Sequence, residues 1–264
     1  MKIEQSKDWF IELQNLICTH IEKLDNKKMI TPDSSTRPGW HQEHRVIYGD
    51  IFEKGTVNFS DVTGEFSKEF AKQIPGTKKS CKYAATGVSV VLHFLNPKVP
   101  AMHFNTRMIE TEIQWYGGGF DVTPCIRDEE YKKWYHHQCK DLCDKHDETY
   151  YAKFSKACDE YFYLPHRKET RGIGGLFFEY TDPKDMSFDF VKDVGRKFIE
   201  IMDTTVAGCY LDNYTSEDKE AQLVKRGRYV EFNLMYDRGT KFGLQTGGNM
   251  DAILMSLPPE VKWL

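Results

Sequence analysis

The sequence carries no disulfide framework. Its seven cysteines, Cys18, Cys81, Cys125, Cys139, Cys143, Cys158 and Cys209, are odd in number and none stands in a CxxC pair. That pattern reads as reduced thiols in a cytosolic protein. No apolar run approaches the length of a membrane span, and the opening MKIEQSKDWF has neither a signal-peptide apolar stretch nor an Arg- and Ser-rich transit segment. A cytoplasmic protein with no membrane segment is therefore expected. Positive charge is not in excess: the formal net charge is −4, so no general nucleic-acid surface is expected and an anionic ligand needs a local cluster of arginines. No GxGxxG, P-loop, GxSxG or HExxH motif occurs, which removes the usual signals for dinucleotide, nucleotide-phosphate, serine-hydrolase and zinc-peptidase chemistry. Repeats and low-complexity tracts are absent too, so the 264 residues read as one domain, 1–264, with one large core.

What is there is a hairpin pattern, TGVSVVLHFLNPKVPAMHFNTRMIE, at residues 86–110. With a period of two, Ser89, Val91 and His93 share one face of the first arm, and His103, Asn105 and Arg107 share one face of the second. The other faces, Val88, Val90 and Leu92, then Met102, Phe104, Thr106 and Met108, are apolar enough to anchor the sheet and leave the polar side free for chemistry. The aromatic content of 14% suits a roomy apolar cavity as well as a core.

Along the rest of the chain, Trp9, Phe10, Leu13, Leu16, Ile17, Ile21 and Leu24 share one face of a helix over 7–25. The polar stretch 26–48 reads as loop, and 52–66 as short strands. Gly117, Gly118 and Gly119 read as a turn. Residues 128–164 read as helix, broken near His146 and stopped by Pro165. A strand is expected at 171–180 and a helix at 188–210, and Thr215 to Asp218 resembles a capping box opening a short helix. Arg228–Asp237 reads as a strand that turns at Gly239 into a second arm, Lys241–Gln245, and a last helix follows Gly247 and Gly248. The sum is an α+β fold with a mostly antiparallel sheet.

Several constellations could carry chemistry. His93 and His103 could approach across the hairpin as a proton donor or metal ligands, or simply be satisfied by sheet neighbours. Asn105 and Arg107 read as a carboxylate clamp, against a plain surface ion pair. The glycine run would let backbone pass close to a ligand, with Asp121 accepting a ligand N–H, against a tight turn with Asp in its usual place. His136, Cys139 and Cys143 share a helical face, a pattern that fits small buried cysteines better than a zinc site. His166 could be a ligand or a helix cap. Asp237 beside Arg238 could be a base or a partner for ligand N–H groups, and Gly247 and Gly248 before a helix could hold an anion.

The blocks TGVSVVLHFLNPKVPAMHFNTR, WYGGGFDVTP, DEYFYLPHRKETRGIGGLFFEY, GRYVEFNLMYDRGTKFGLQTGG and ILMSLPPEVKW resemble the successive signatures of the oxygen-dependent coproporphyrinogen III oxidase family, over nearly the whole chain from about residue 50. The resemblance implies a large antiparallel sheet flanked on both faces by helices and a homodimer. It implies oxidative decarboxylation of the ring A and B propionates of coproporphyrinogen III to vinyl groups in haem biosynthesis. O2 is the oxidant and no organic cofactor is used; a divalent metal is described for some members. It assigns His103 as a proton donor, and Ser89, Asn105, Arg107, Gly247 and Gly248 to substrate binding. Asp121, Asp237 and Arg238 would meet the pyrrole N–H groups and a propionate, and His93, His103, His136 and His166 would be the metal ligands. The chain departs from the family pattern at Asn249, where an Arg is usual, at Pro38–Gln42, where a glycine-rich run is usual, and at Tyr180, where an Asp is common. A metal-dependent oxygenase and a non-catalytic tetrapyrrole carrier remain open as alternatives.

Overall fold

The computed structural model describes residues 3–32, 34–245 and 250–263. Helix α1 (Ile3–Asp25) buries Trp9, Phe10, Leu13, Ile17 and Ile21, which recur at the spacing of one helical face. Leu16, expected on that face, lies at its rim and is 36% exposed. The buried Asp25 carboxylate at the end of α1 accepts the N–H groups of Asp50, Ile51 and Phe52 and so fixes the start of the third strand.

The strands are β1 (Ser34–Arg37), β2 (Trp40–Ile47), β3 (Phe52–Glu65), β4 (Lys82–Phe94), β5 (Ala101–Glu110) and β6 (Gln114–Thr123), then a two-stranded ribbon of β7 (Tyr163–Leu164) and β8 (Glu169–Thr170), then β9 (Gly175–Thr181). Among the described residues the main sheet runs β1-β2-β3-β4-β5-β6-β9, antiparallel at every step. The remaining helices are α2 (Lys68–Ala71), α3 (Glu129–Asp144), α4 (Tyr150–Tyr161), α5 (Phe188–Cys209), α6 (Ser216–Met235), α7 (Arg238–Gln245) and α8 (Met250–Ile253). The class is α+β.

The hairpin faces fall as the alternation dictates. Val88, Val90, Leu92, Met102, Phe104 and Met108 are buried in the core under α1 and α5, where Phe104 stacks on Phe198 at 4.9 Å. Each such side chain withdrawn from water contributes about 1.5–3 kcal/mol. The opposite face, carrying Ser89, His103, Asn105 and Arg107, is bordered by α2, α6 and α7 and stays open.

Four expectations need correction. The stretch 26–48 is not all loop: β2 pairs with β3 from Trp40 to Ile47, its polar side chains hiding the strand. The glycines are not a turn but the middle of β6, where Gly119 (φ +140°) lies so close to β9 that a Cβ would meet the Leu176 carbonyl oxygen at 1.8 Å. Arg228–Asp237 is not a strand. The Thr215–Asp218 capping box opens a helix of 20 residues, and its buried positions Arg226, Tyr229, Val230 and Asn233 follow helical spacing, while Leu234, which a two-residue period would bury, is 45% exposed. Lys241–Gln245 is then the second half of α7 rather than a hairpin arm.

Candidate active site

The open sheet face is the floor of a cavity of about 1120 Å³, above the ~300–1,000 Å³ of ordinary small-molecule pockets. Ser89, His103, Asn105 and Arg107 rise from β4 and β5, Trp115 and the glycines from β6, and Phe177 and Glu179 from β9. Tyr161 of α4 and the Asp237–Arg238 corner between α6 and α7 close the far wall. Ser89 stands opposite Asn105, and Arg107 opposite Gly117. A Cβ at residue 117 would sit 3.2 Å from the Arg107 guanidinium, so the missing side chain there is what lets Arg107 lie flat along the sheet. Arg107 Nη1 donates to Asn105 Oδ1 at 2.7 Å, which ties together the two side chains expected to form a clamp.

His103 faces the cavity with its ring held from behind. Its Nδ1 donates to Asp121 Oδ1 at 2.7 Å, because a carboxylate only accepts, and Nε2 is left toward the cavity. Asp121 is 2% exposed and does not reach the cavity surface; Arg171, equally buried, grips both its oxygens at 2.8 and 2.7 Å. Burial opposes the charge on Asp121, but Arg171 and His103 together outweigh it and hold the carboxyl below its usual range. The Arg171 guanidinium lies 4.1 Å from the Phe162 ring centre and 4.3 Å from that of Tyr229, and donates to Asn233 at 2.9 Å. Asp121 is thus placed to orient His103 rather than to meet a ligand N–H.

Asp237 lines the cavity. Its Oδ1 accepts the Tyr161 hydroxyl at 2.8 Å and its Oδ2 the Thr240 N–H at 2.6 Å. Arg238 packs over the Tyr161 ring at 4.8 Å, and Tyr161 stacks on Phe177 at 4.3 Å. Arg107 and Arg238 both reach Glu179, at 2.5 Å each, one through Oε1 and the other through Oε2. A bulge aims that carboxylate: Gly118 pairs with Phe178 and Tyr116 with Thr181, so Glu179 and Tyr180 together face one residue of β6. Tyr180 takes φ +54° there, a conformation that short polar residues tolerate better than a bulky one.

Arg171, Glu179, Tyr161 and Asn233 were not singled out by sequence reasoning. Alternation over GLFFEYT would have found Glu179 on the face of Phe177. Arg171 and Asn233 meet Asp121 only through the fold.

The four candidate metal ligands do not gather. His103 faces Val91, not His93, across the hairpin. His93 is buried edge-on to Tyr229 at 5.1 Å, with Nε2 donating to the Ser256 carbonyl at 2.9 Å. His136 donates to the Ile173 carbonyl and accepts from the Tyr151 hydroxyl. His166 is held between Glu231 and the Tyr236 hydroxyl. Cys139 and Cys143 are buried in the core. Among the described residues no three His, Cys, Asp or Glu side chains are placed to share an ion, so the donor set does not fit the metal site that the resemblance implied. Gly247, Gly248 and Asn249 lie outside the described residues.

Burial pushes the His93 imidazole down to about 3, so it stays neutral in the folded chain while the unfolded chain takes up a proton below about 6.5. Stability tied to His93 is complete above that value and lost as pH falls, by up to about 1.4 kcal/mol per pH unit. Thermal unfolding of the parent and of His93→Gln between pH 7.5 and 5 checks this: the parent's Tm should fall more steeply.

An aromatic-walled cavity of this size, with Arg107, Arg238, Asp237 and Glu179 on its wall, suits an enzyme or carrier of a sizeable organic ligand that carries carboxylates. The comparisons narrow this class. A family model described as coproporphyrinogen III oxidase matches residues 5–264. The oxygen-dependent coproporphyrinogen-III oxidase of Rickettsia bellii (strain OSU 85-389) is 48% identical, covering 98% of each chain. Those of Rickettsia akari (strain Hartford), 47% identical over 100% of both chains, and Rickettsia rickettsii (strain Sheila Smith), 46% over 98%, are similar as well. The chain belongs to the coproporphyrinogen III oxidase family.

Proposed function

We propose that this cavity is where the chain converts coproporphyrinogen III to protoporphyrinogen IX with O2, a step of haem biosynthesis. The observation that carries the reading is the convergence of Arg107, Arg238, His103 and Asp237 on one cavity larger than small ligands need, in a chain that matches the family along nearly its full length. In each of two rounds a propionate, –CH2–CH2–COO⁻, becomes a vinyl group. The carbon–carboxylate bond breaks and its electrons form the new double bond. The hydrogen on the carbon next to the ring leaves with an electron pair's worth of reduction for O2, and CO2 and H2O2 depart once a further proton is added. Asp237 accepts a pyrrole N–H proton, which makes the ring rich enough in electrons to react with O2 directly, and returns it to the nitrogen once the peroxide has left. His103, its Nδ1–H held by Asp121, takes a proton from water at Nε2 and passes it on as the completing proton. Arg107 with Asn105 and Ser89, and Arg238, hold the carboxylates; fixing the reacting group in a water-poor cavity lowers the barrier.

The same reading has the protein working without an organic cofactor, as a homodimer in the cytoplasm. No described helix is long and apolar enough to cross a membrane. The purified protein incubated with coproporphyrinogen III in air should release two CO2 per protoporphyrinogen IX, none without O2, and should keep doing so after exhaustive chelation. Tetrapyrrole binding without CO2 would show a carrier, and loss of turnover on chelation a metal-dependent oxygenase.

A further inference from the structure

Glu179 occupies both cations that the proposed function gives to the substrate. Its side chain is only 13% exposed, and its two oxygens bridge Arg107 on the sheet and Arg238 at the start of α7, 2.5 Å from each. The strand carrying it departs from regular pairing at this point, with a bulge opposite Gly117 and a left-handed Tyr180, and a bulge is a device for aiming a side chain. Guanidiniums bind carboxylates as a planar fork, and a substrate propionate presents the same group as Glu179.

We propose that Glu179 is a resident carboxylate that a substrate propionate displaces, and therefore a specificity-determining residue. It keeps Arg107 and Arg238 aligned and neutralised in the empty cavity. It gives way to the entering propionate and pairs with them again when that carboxylate goes, whether as CO2 or with the departing product. The affinity for a polycarboxylate ring is thereby held down and product release is helped. This inference rests on the proposed function of the cavity.

The test uses coproporphyrin III, the oxidised ring that does not turn over, with binding followed by its fluorescence. Glu179→Gln keeps the size and removes the charge. It should bind coproporphyrin III at least about tenfold more tightly than the parent, since two guanidiniums are freed for charge-assisted pairs. In turnover of coproporphyrinogen III its KM should fall while kcat stays level or drops. In an Arg107→Gln background the gain from Glu179→Gln should shrink to less than half, which separates displacement from a general change of field. A merely structural Glu179 would instead give weaker or unchanged binding and a higher KM, and that result, or a gain undiminished in the Arg107→Gln background, overturns the proposal. If Glu179→Gln does not fold, Glu179→Ser is read the same way. A parent protein that binds no coproporphyrin III at all overturns the reading of the cavity along with it, whereas a parent that binds and turns over with no gain in Glu179→Gln overturns this inference alone.

Discussion

Asp237→Asn is expected to lower kcat about a hundredfold to ten-thousandfold, the usual worth of a positioned proton acceptor, with KM changed far less and the fold intact. The choice of Asn follows from what Asp237 does besides facing the cavity. Its Oδ2 accepts the Thr240 N–H at 2.6 Å, three residues on and at the start of α7, in the manner of a helix N-cap. Asn caps as well as Asp, and its amide oxygen can keep that bond. The Tyr161 hydroxyl, which donates to Oδ1 at 2.8 Å, can turn to accept from the new amide. The substitution removes the negative charge and the ability to take a proton, and little else. Asp237→Ala would also delete the cap, at a cost of about 1 kcal/mol, and would loosen the corner that carries Arg238, mixing two effects. Steady-state kinetics beside a thermal melt decide the matter. A kcat within tenfold of the parent would reduce Asp237 to a cap, as would a loss explained by a lowered Tm.

The parts of this site that were legible in advance are those governed by a strand's period of two. Ser89, His103, Asn105 and Arg107 are brought to one face because alternation puts them there whatever the rest of the chain does. The glycine run was visible but not its use. Glycines signal freedom or close approach equally, and only the pairing of Arg107 with Gly117 shows that here a guanidinium lies over them. The region from Arg228 was misread because Val230, Phe232, Leu234 and Tyr236 alternate as a strand would, while the helix is set by its capping box and by Arg226, Tyr229 and Asn233 finding partners far away in sequence. Asp121 was visible as an acid near the site, but its role could not be read from its neighbours. What makes it an orienting group is Arg171, 50 residues away along the chain.

That long-range pair carries the largest stability effect expected here. Arg171→Met should destabilise the protein by about 3–5 kcal/mol, because it leaves the Asp121 carboxylate buried with only His103 beside it. For a chain of this size that is a fall in Tm of roughly 10 °C. Methionine fills much of the slot between Phe162 and Tyr229, so packing loss is the smaller part. The sign of the pH dependence identifies the cause. With Arg171 present the Asp121 carboxyl sits below its usual range, so the stability it contributes is present above about pH 4 and lost as pH falls further. Without Arg171, burial is the dominant influence and raises that carboxyl above its unfolded value, so the stability deficit of the variant should narrow as pH falls from 8 toward 5. A deficit independent of pH would point to lost packing instead. The double variant Arg171→Met with Asp121→Leu then separates the pair's two roles. Replacing a whole buried ion pair by apolar groups is often neutral, so much of the lost Tm should return. Turnover should not, because His103 would face the cavity with no carboxylate behind it to fix which nitrogen carries the proton.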